Sequence, residues 1–284
     1  MSKAHVVAPE HTAVRTALWR ALHVLLDPAP HVFSDEIGAR IVGERDWQSR
    51  GDMKPDFSKS MRASIVGRAR FIEDLVEDEL SHGVTQYVIL GAGLDTFAFR
   101  RSDLAARMQV FEVDQPGPQK WKQLRLGELG MVAPPSLHFV PVDFEAGESW
   151  WDLLLASGFE ASKPAVIVST GVSMYLSREA NEATLRQISR LAPGSTFAMT
   201  FMLALDLLPA PERAVMEFVM ARARESGTPF VSLFTPDEII AMAKSCGFKD
   251  ARFVSAGDIF NRYFASRSDG LNAGTAEAFL IAKT

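Results

Sequence analysis

The chain has 284 residues, 47% of them hydrophobic and 23% charged, with a formal net charge of -5 at pH 7. That composition fits a folded protein with a core large enough to enclose a site, arranged as one large domain or two small ones. It carries no basic footprint for nucleic acid or an anionic membrane, and the single cysteine, Cys246, excludes an internal disulfide and fits a reducing, cytoplasmic compartment.

The first residues, Met-Ser-Lys-Ala-His, lack the apolar core of a signal peptide. The most apolar stretch, Phe197 to Leu205, is too short to span a bilayer. Residues 1–10 are expected to be loose. From His11 to Leu26, Val14, Leu18, Leu22, Leu25 and Leu26 recur at helical spacing, and Asp27-Pro-Ala-Pro30 stops the helix. A short helix is expected over 35–42. A long one runs to about Leu80 with Ser58 or Ser60 as its cap, facing inward with Met61, Ile65, Ala69, Ile72, Val76 and Leu80. The run Glu73, Asp74, Glu77 and Asp78 reads as its solvated face.

Alternating units follow. Strands are predicted at 86–90, 109–113, 137–142, 165–169 and 196–201, with helices through Met108 and over 118–129, 148–157 and 178–191, the last capped by Ser177. Strands separated by helices of this length make βαβ units and a parallel sheet. After Met202 the rhythm breaks into a helical stretch, 212–225, read as a lid. Thr235-Pro-Asp-Glu238 is a capping box that opens a helix closing at Gly247, with Cys246 packed inside it. Two strands, 250–255 and 277–282, end the chain with a long loop between them. The expected division is an N-terminal helical cap (1–82), a donor-binding core (83–202), the lid (203–234) and a C-terminal helix with a strand pair (235–284).

The site is expected at the strand ends, where parallel sheets bind ligands. Tyr87 to Leu90 is a fully apolar strand running into Gly91-Ala-Gly-Leu-Asp-Thr96. Gly91 and Gly93 let the backbone turn sharply and leave no Cβ in a ligand's way. Gly-x-Gly alone also suits a turn with no ligand. Here Thr96 stands where a dinucleotide fingerprint has its third glycine, and Asp95 would repel a pyrophosphate while suiting an ammonium or hydroxyl. The loop therefore suits a nucleoside that carries an amino acid, S-adenosylmethionine. Asp114 ends the second strand, 21 residues past Gly93, and suits a ribose diol, with Glu112 as the next candidate. Asp143 ends the third strand and either accepts from an adenine amino group or caps the next helix; Phe144 packs on the ring. Arg68 or Arg70, on the long helix, would hold the donor's carboxylate or else lie on the surface. Ala92 and Gln115 complete the predicted donor set.

The runs Arg68-Ala-Arg-Phe-Ile-Glu-Asp74, Leu90-Gly-Ala-Gly-Leu-Asp-Thr-Phe-Ala-Phe-Arg100, Phe111-Glu-Val-Asp-Gln-Pro116, Val142-Asp-Phe144 with Trp150-Trp151, Thr170-Gly-Val-Ser-Met-Tyr-Leu176, Arg262-Tyr263 and Asp269-Gly-Leu271 resemble the leucine carboxyl methyltransferase family, in order and spacing. They are most similar to its bacterial branch, which includes O-methyltransferases of polyketide pathways. The resemblance implies an α/β, Rossmann-like, seven-stranded class I methyltransferase sheet, its last strand antiparallel beside the fifth. It implies S-adenosylmethionine as donor, S-adenosylhomocysteine as product and no metal. It supports Arg68 on the donor's carboxylate, Gly91 and Gly93 beneath the methionine part, Asp114 on ribose, and Asp143 with Phe144 at adenine. In one departure, Thr170-Gly171 stands where the family has Glu-Gly, so a charge is missing near the donor's amino group.

Methyl transfer from a sulfonium needs an acceptor oxygen aligned in a site closed to water. A carboxylate needs no base, and no histidine is placed to serve a phenol: His138 alternates into a strand, while His5, His11 and His23 read as surface positions. The expected reaction is methylation of a carboxylate or acidic hydroxyl on a small molecule, with Tyr175, Arg262 and Tyr263 as substrate-side candidates. The alternatives are a protein C-terminal carboxyl methyltransferase, a non-catalytic binding protein on the same scaffold, and a nicotinamide-dependent oxidoreductase. The oligomeric state is left open.

Overall fold

The computed structural model describes residues 6–144 and 146–284. Helices α1 (His11–Leu26) and α2 (Ile37–Val42) precede a long helix, α3 (Pro55–Ser81). Next come β1 (Gln86–Leu90), the single turns α4 (Phe97–Arg100) and α5 (Ser102–Ala105), β2 (Gln109–Asp114) and α6 (Pro116–Glu128). They lead to β3 (Leu137–Pro141), α7 (Trp150–Ala156), β4 (Val166–Ser169), α8 (Arg178–Ile188) and β5 (Thr196–Met202). The chain finishes with α9 (Ala210–Glu225), α10 (Pro236–Ser245), β6 (Asp250–Val254), α11 (Ala256–Tyr263) and β7 (Glu277–Lys283).

The seven strands form one sheet in the order β3-β2-β1-β4-β5-β7-β6. The first five are parallel, and β7 runs antiparallel between β5 and β6. Consecutive strands step away from β1 in one direction and from β4 in the other, so the order reverses between them. At such a switch point the helices leave to opposite faces and open a crevice above the strand ends. The register places Leu90 beside Val113 and Asp114 beside Pro141. The residues just past these pairs therefore share one edge.

Helices cover both faces, which is why β1 is buried along its length and apolar from Tyr87 to Leu90. Tyr87 and Ile89 join the core beneath α3, where Phe71 meets Phe279 at 4.7 Å between ring centres. Val88 and Leu90 join the opposite core with Phe111, Ile167, Leu185 and Phe197. Gly67 lies where α11 crosses α3: a Cβ there would come within 2.9 Å of Ile259 Cγ2.

Several expectations need correction. Residues 6–10 lack regular structure as expected, while residues 1–5, and His5 with them, lie outside the described residues. α3 begins at Pro55, pre-set for the first helical position. Ser58 is therefore no cap; it is buried one turn in, donates to Lys54 O at 2.8 Å and accepts from Arg62 at 2.6 Å. The acidic run on α3 is only partly solvated. Glu73 is buried and takes bonds from Arg100 at 2.9 Å and Arg101 at 2.8 Å. His23 is fully buried, bonded to Asp27 at 2.7 Å and accepting from Val32 N at 3.1 Å. The predicted loop between the last two strands contains α11, opened by a Ser255–Asp258 capping box too short for periodicity to reveal. Cys246 is buried, at the C-cap of α10 rather than mid-helix. No described helix is long and apolar enough to cross a membrane.

Candidate active site at the strand ends

The glycine turn is built as its sequence requires. Gly91 and Gly93 have φ of 73° and 51°, and a Cβ on Gly91 would come 2.5 Å from Val172 Cγ2. Gly91 N and Ala92 N donate to Val113 O at 2.9 and 3.2 Å, which ties the turn to the end of β2. Asp114 closes the bend: one carboxylate oxygen accepts from Gly93 N and the other from Gln115 N at 2.7 Å. Burial raises the Asp114 carboxyl above its ordinary value against the pull of these two amides. Each oxygen keeps lone-pair capacity for a further donor. Asp95 is half-buried and turns inward, accepting from Phe97 N at 2.8 Å.

Glu112 does not reach the crevice. Its side chain is 1% exposed and accepts from Lys122 Nζ of α6 at 2.6 Å. Its other oxygen has no partner among the described residues. Burial pushes this carboxyl up to about 7, with Lys122 opposing the shift. The pair fixes α6 against the sheet below the edge.

At the end of β3, Asp143 accepts from Ala146 N at 2.9 Å, and its own N–H donates to Glu148 at 2.9 Å. It is not the cap of the next helix, because Ser149 caps α7. Phe144 is 49% exposed, a large aromatic face open beside Asp143. Across the crevice, Gly171 has φ of 72° and its N–H donates to Thr200 Oγ1 at 2.8 Å. Thr170, half-buried, precedes it.

Arg68 comes to the same place from α3, its guanidinium 3.2 Å from where a Gly171 Cβ would stand. It is not free: Nη1 donates to Glu277 at 2.8 Å. Glu277 was missed by sequence reasoning. Because β7 is antiparallel and pairs with Met202, its first residue lies at the end of β5, at the same edge. An acid at the start of a strand expected antiparallel to the fifth was the signal. Arg70 instead pairs with Asp74 at 2.7 Å on the half-exposed flank of α3.

Tyr175 lies at this edge, packed edge-on against Phe230 with ring centres 5.4 Å apart. Burial raises its hydroxyl pKa, and Arg15, Glu10, Arg68 and Glu277 are the charged groups that act on it. Above it, Met174, Met202, Leu208 and Met216 form a small core with Phe230 and Leu233 of the lid region. Glu212 ties α9 to the loop before β7 by accepting from Thr275 N at 2.7 Å. Arg262 and Tyr263 do not join this cluster. Both bond Asp74, at 3.1 and 2.8 Å, on the flank of α3 well below Arg68. Arg262 also lies over the Phe71 ring. They hold α11 to α3, which removes them as substrate-side residues.

A second missed feature is the bolt between the N-terminal cap and the turn. Buried Asp35 accepts from Arg20 at 2.7 Å and from Thr96 at 2.8 Å, and from the first amides of α2. Arg20 also donates to Leu94 O at 2.8 Å. Burial alone would raise the Asp35 carboxyl, but the Arg20 and Arg100 charges outweigh it and hold it low.

A glycine cradle that side chains would fill, a buried acid with spare acceptor capacity and an open aromatic face together fit an adenosyl group bearing an amino acid. Two solved structures share the architecture. One is a DUF574 family protein from Streptomyces avermitilis, with a TM-score of 0.61 and 17% identity over 97% of this chain and 98% of that one. The other is a provisionally named methyltransferase from Thermobifida fusca, with a TM-score of 0.57 and 18% identity over 98% and 95%. The fold is thus that of the class I methyltransferases.

The leucine carboxyl methyltransferase family model matches residues 13–189. A Bacillus subtilis relative, provisionally named S-adenosyl-L-methionine-dependent methyltransferase YktD, is 32% identical over 92% of this chain and 93% of its own length. A Mycolicibacterium vanbaalenii relative with the same provisional activity is 36% identical over 56% of this chain and 52% of its own. The chain belongs to the leucine carboxyl methyltransferase family and is an S-adenosylmethionine-dependent methyltransferase.

Proposed function

We propose that the protein methylates an oxygen, a carboxylate or an acidic hydroxyl, on a small apolar molecule. The observation that carries this reading is the setting of Tyr175, whose half-buried ring packs on Phe230 beside the methionine-lined core of the lid region, at the edge where Arg68 and Glu277 pair. Two of the histidines are committed elsewhere. His23 is buried against Asp27, and His138 stacks on Phe111 and bonds Gln109 at 2.7 Å. An acceptor already ionised at neutral pH needs no base, which suits an edge where Glu277 is tied up by Arg68 and these two histidines are committed elsewhere.

In this reading Arg68 holds the donor's carboxylate, Asp114 its ribose hydroxyls, and Asp143 with Phe144 its adenine. Gly91, Ala92, Gly93, Gln115, Thr170 and Gly171 shape the backbone around it. Glu277 fixes Arg68 and returns to the edge the negative charge that Thr170 lacks. The bound donor supplies a methyl group on a sulfonium. The chain's own work is to align the acceptor oxygen and keep water out, with Tyr175 beside the transfer point and residues 203–234 closing over it. The division into cap (1–82), core (83–202), lid (203–234) and C-terminal unit (235–284) follows these roles. The buried, unpaired Cys246 suits a reducing cytoplasm.

The test uses a donor labelled in the methyl group and a panel of free acids, phenols and aliphatic alcohols. Mild base applied to the product should release labelled methanol, because a methyl ester hydrolyses. Base-stable label would mean an ether and exclude the carboxylate. Label that travels with added protein rather than a small molecule would instead support the C-terminal carboxyl reading.

A further inference from the structure

An α-amino acid carries its two charges on one carbon, so a site that reads both needs an arginine and an acid side by side. At the strand ends Arg68 and Glu277 form such a pair, in contact at 2.8 Å. The contact uses one atom of each. Arg68 gives Nη1 to it and Glu277 gives Oε1, which leaves Arg68 Nη2 and Nε and Glu277 Oε2 without a hydrogen bond among the described residues. Each group thus keeps the part of its charge-bearing face that a second partner would use.

The fold brings this pair to the crevice. Gly171 N bonds Thr200 Oγ1, and Glu277 pairs with Met202 two residues further along β5, so Gly171 and Glu277 flank the end of that strand. Arg68 spans them: Nη1 and Nη2 lie 3.2 and 3.5 Å from where a Gly171 Cβ would be. A glycine there leaves that space to a ligand. On its other side, between α3, α11 and β7, the pair borders a void of about 20 Å³ lined by Ser64, Ala273 and Phe279, room for one water. A ligand therefore meets the pair from the Gly171 side. The other acids of the edge are placed for other work. Asp114 holds Gly93 N and Gln115 N, and Asp95 accepts from Phe97 N within its own turn, with no bond to Arg68 among the described residues. Thr170, which precedes Gly171, is uncharged.

We infer that Glu277 is the acceptor for the donor's α-ammonium, and that with Arg68 it selects a ligand with a zwitterionic amino-acid end. The donor's carboxylate takes Arg68 Nη2 and Nε, and its ammonium donates to Glu277 Oε2. This rests on the placement of the donor's carboxylate on Arg68 given above. Before the donor arrives, the two side chains neutralise each other, so neither stands as a lone charge in a largely buried place. A zwitterion then adds no net charge, and the four groups alternate in sign around a ring of charge-assisted bonds. A nucleoside thioether that lacks the ammonium leaves Glu277 with nothing from the ligand to accept. The acid that reads the donor's amino group thus comes from the start of β7 and not from the end of β4.

The test measures, by calorimetry, the affinity for S-adenosylhomocysteine and for its deaminated analogue, which keeps the carboxylate and lacks the ammonium. The wild type should favour S-adenosylhomocysteine by about tenfold. In Glu277→Gln, which keeps the shape and an oxygen for Arg68, that preference should fall below about twofold, with the deaminated analogue bound as before. Glu277→Asp should keep part of the preference, because the charge remains on a shorter stem. Equal binding of the two ligands to the wild type overturns the proposal, as does an undiminished preference in Glu277→Gln. So does a parallel loss of both ligands in that variant, which would mean that Glu277 acts only by holding Arg68. A preference erased by Asp95→Asn instead would overturn it too, and would put the ammonium in the glycine turn. Arg68→Met separates this role from the placement beneath it. If Arg68→Met weakens the deaminated analogue while Glu277→Gln keeps its preference, Glu277 falls and the donor's placement stands. If Arg68→Met leaves the deaminated analogue's affinity unchanged, both fall.

Discussion

The contact between Arg68 and Glu277 separates the donor's amino-acid end from its nucleoside end, so Arg68→Met is the most informative single change. The substitution keeps an apolar stem and removes the guanidinium. Two effects follow. Glu277 loses its partner, and since the two side chains are 14% and 17% exposed, water screens part of the loss. The stability cost should be about 1–2 kcal/mol, below the roughly 3–5 kcal/mol of breaking a fully buried pair. The donor's carboxylate also loses a charge-assisted bond worth about 1.5–3 kcal/mol, or roughly 10- to 150-fold in affinity. Calorimetry with two ligands isolates the second effect: S-adenosylhomocysteine, which carries the amino acid, and 5′-methylthioadenosine, which does not. The first should weaken by that factor and the second should not change. Glu277→Gln keeps an oxygen for Arg68 to bond, so its loss should be smaller and again confined to S-adenosylhomocysteine. Unchanged binding of S-adenosylhomocysteine to Arg68→Met would refute the placement, and equal losses of both ligands would show a collapsed site rather than a missing contact.

Phe144→Ala should weaken 5′-methylthioadenosine and S-adenosylhomocysteine alike by about 0.5–1.5 kcal/mol, the worth of an aromatic stack. Its Tm should barely move, since the ring is 49% exposed; a large thermal shift without an affinity change would make Phe144 a packing residue. Lys122→Met should cost less than the roughly 3–5 kcal/mol of stranding a buried charge, because the Glu112 carboxyl, already pushed up by burial, takes up a proton once Lys122 no longer opposes the shift; urea unfolding at neutral pH reads this directly. Glu112 also sets a pH dependence. Its carboxyl moves from an ordinary 4.5 to about 7 on burial, so between those values the fold holds a proton that the unfolded chain has released. Stability should therefore fall as pH rises through that window, by on the order of 3 kcal/mol. Glu112→Gln should flatten the curve of Tm against pH there, and an unaltered curve would mean that Glu112 stays ionised in the fold.

The parts of the molecule legible in the sequence are those set by local pattern. Four apolar residues before Gly91 mark a strand covered on both faces, and all of β1 is buried. Ser177 and the Thr235–Glu238 box each cap the helix that follows, because a cap reads only its next three residues. The edge where Gly91, Asp114, Asp143 and Gly171 meet follows from the strand ends alone. What stayed hidden depends on partners far away in the chain. Arg68 and Glu277 are 209 residues apart, and nothing in the local spacing of either names the other. The acidic run on α3 looked solvated because helical periodicity tells which face a residue takes, not whether an arginine from α4 will cover it. Arg262 and Tyr263 lie in a run that resembles the family's, yet α11 carries them to Asp74 rather than to the strand ends. Asp35 looked like the opening of a short helix. It also joins α1, α2 and the glycine turn through Arg20 and Thr96, which only the packed structure reveals.

The most direct test of the account is a crystal structure of the protein with S-adenosylhomocysteine bound. The ribose hydroxyls should lie within hydrogen-bond distance of Asp114, the adenine against Phe144 beside Asp143, and the carboxylate on Arg68 next to Gly171. A nucleoside found away from the edge formed by β1, β2, β3 and β4, or Asp114 and Asp143 lining separate pockets, would contradict it.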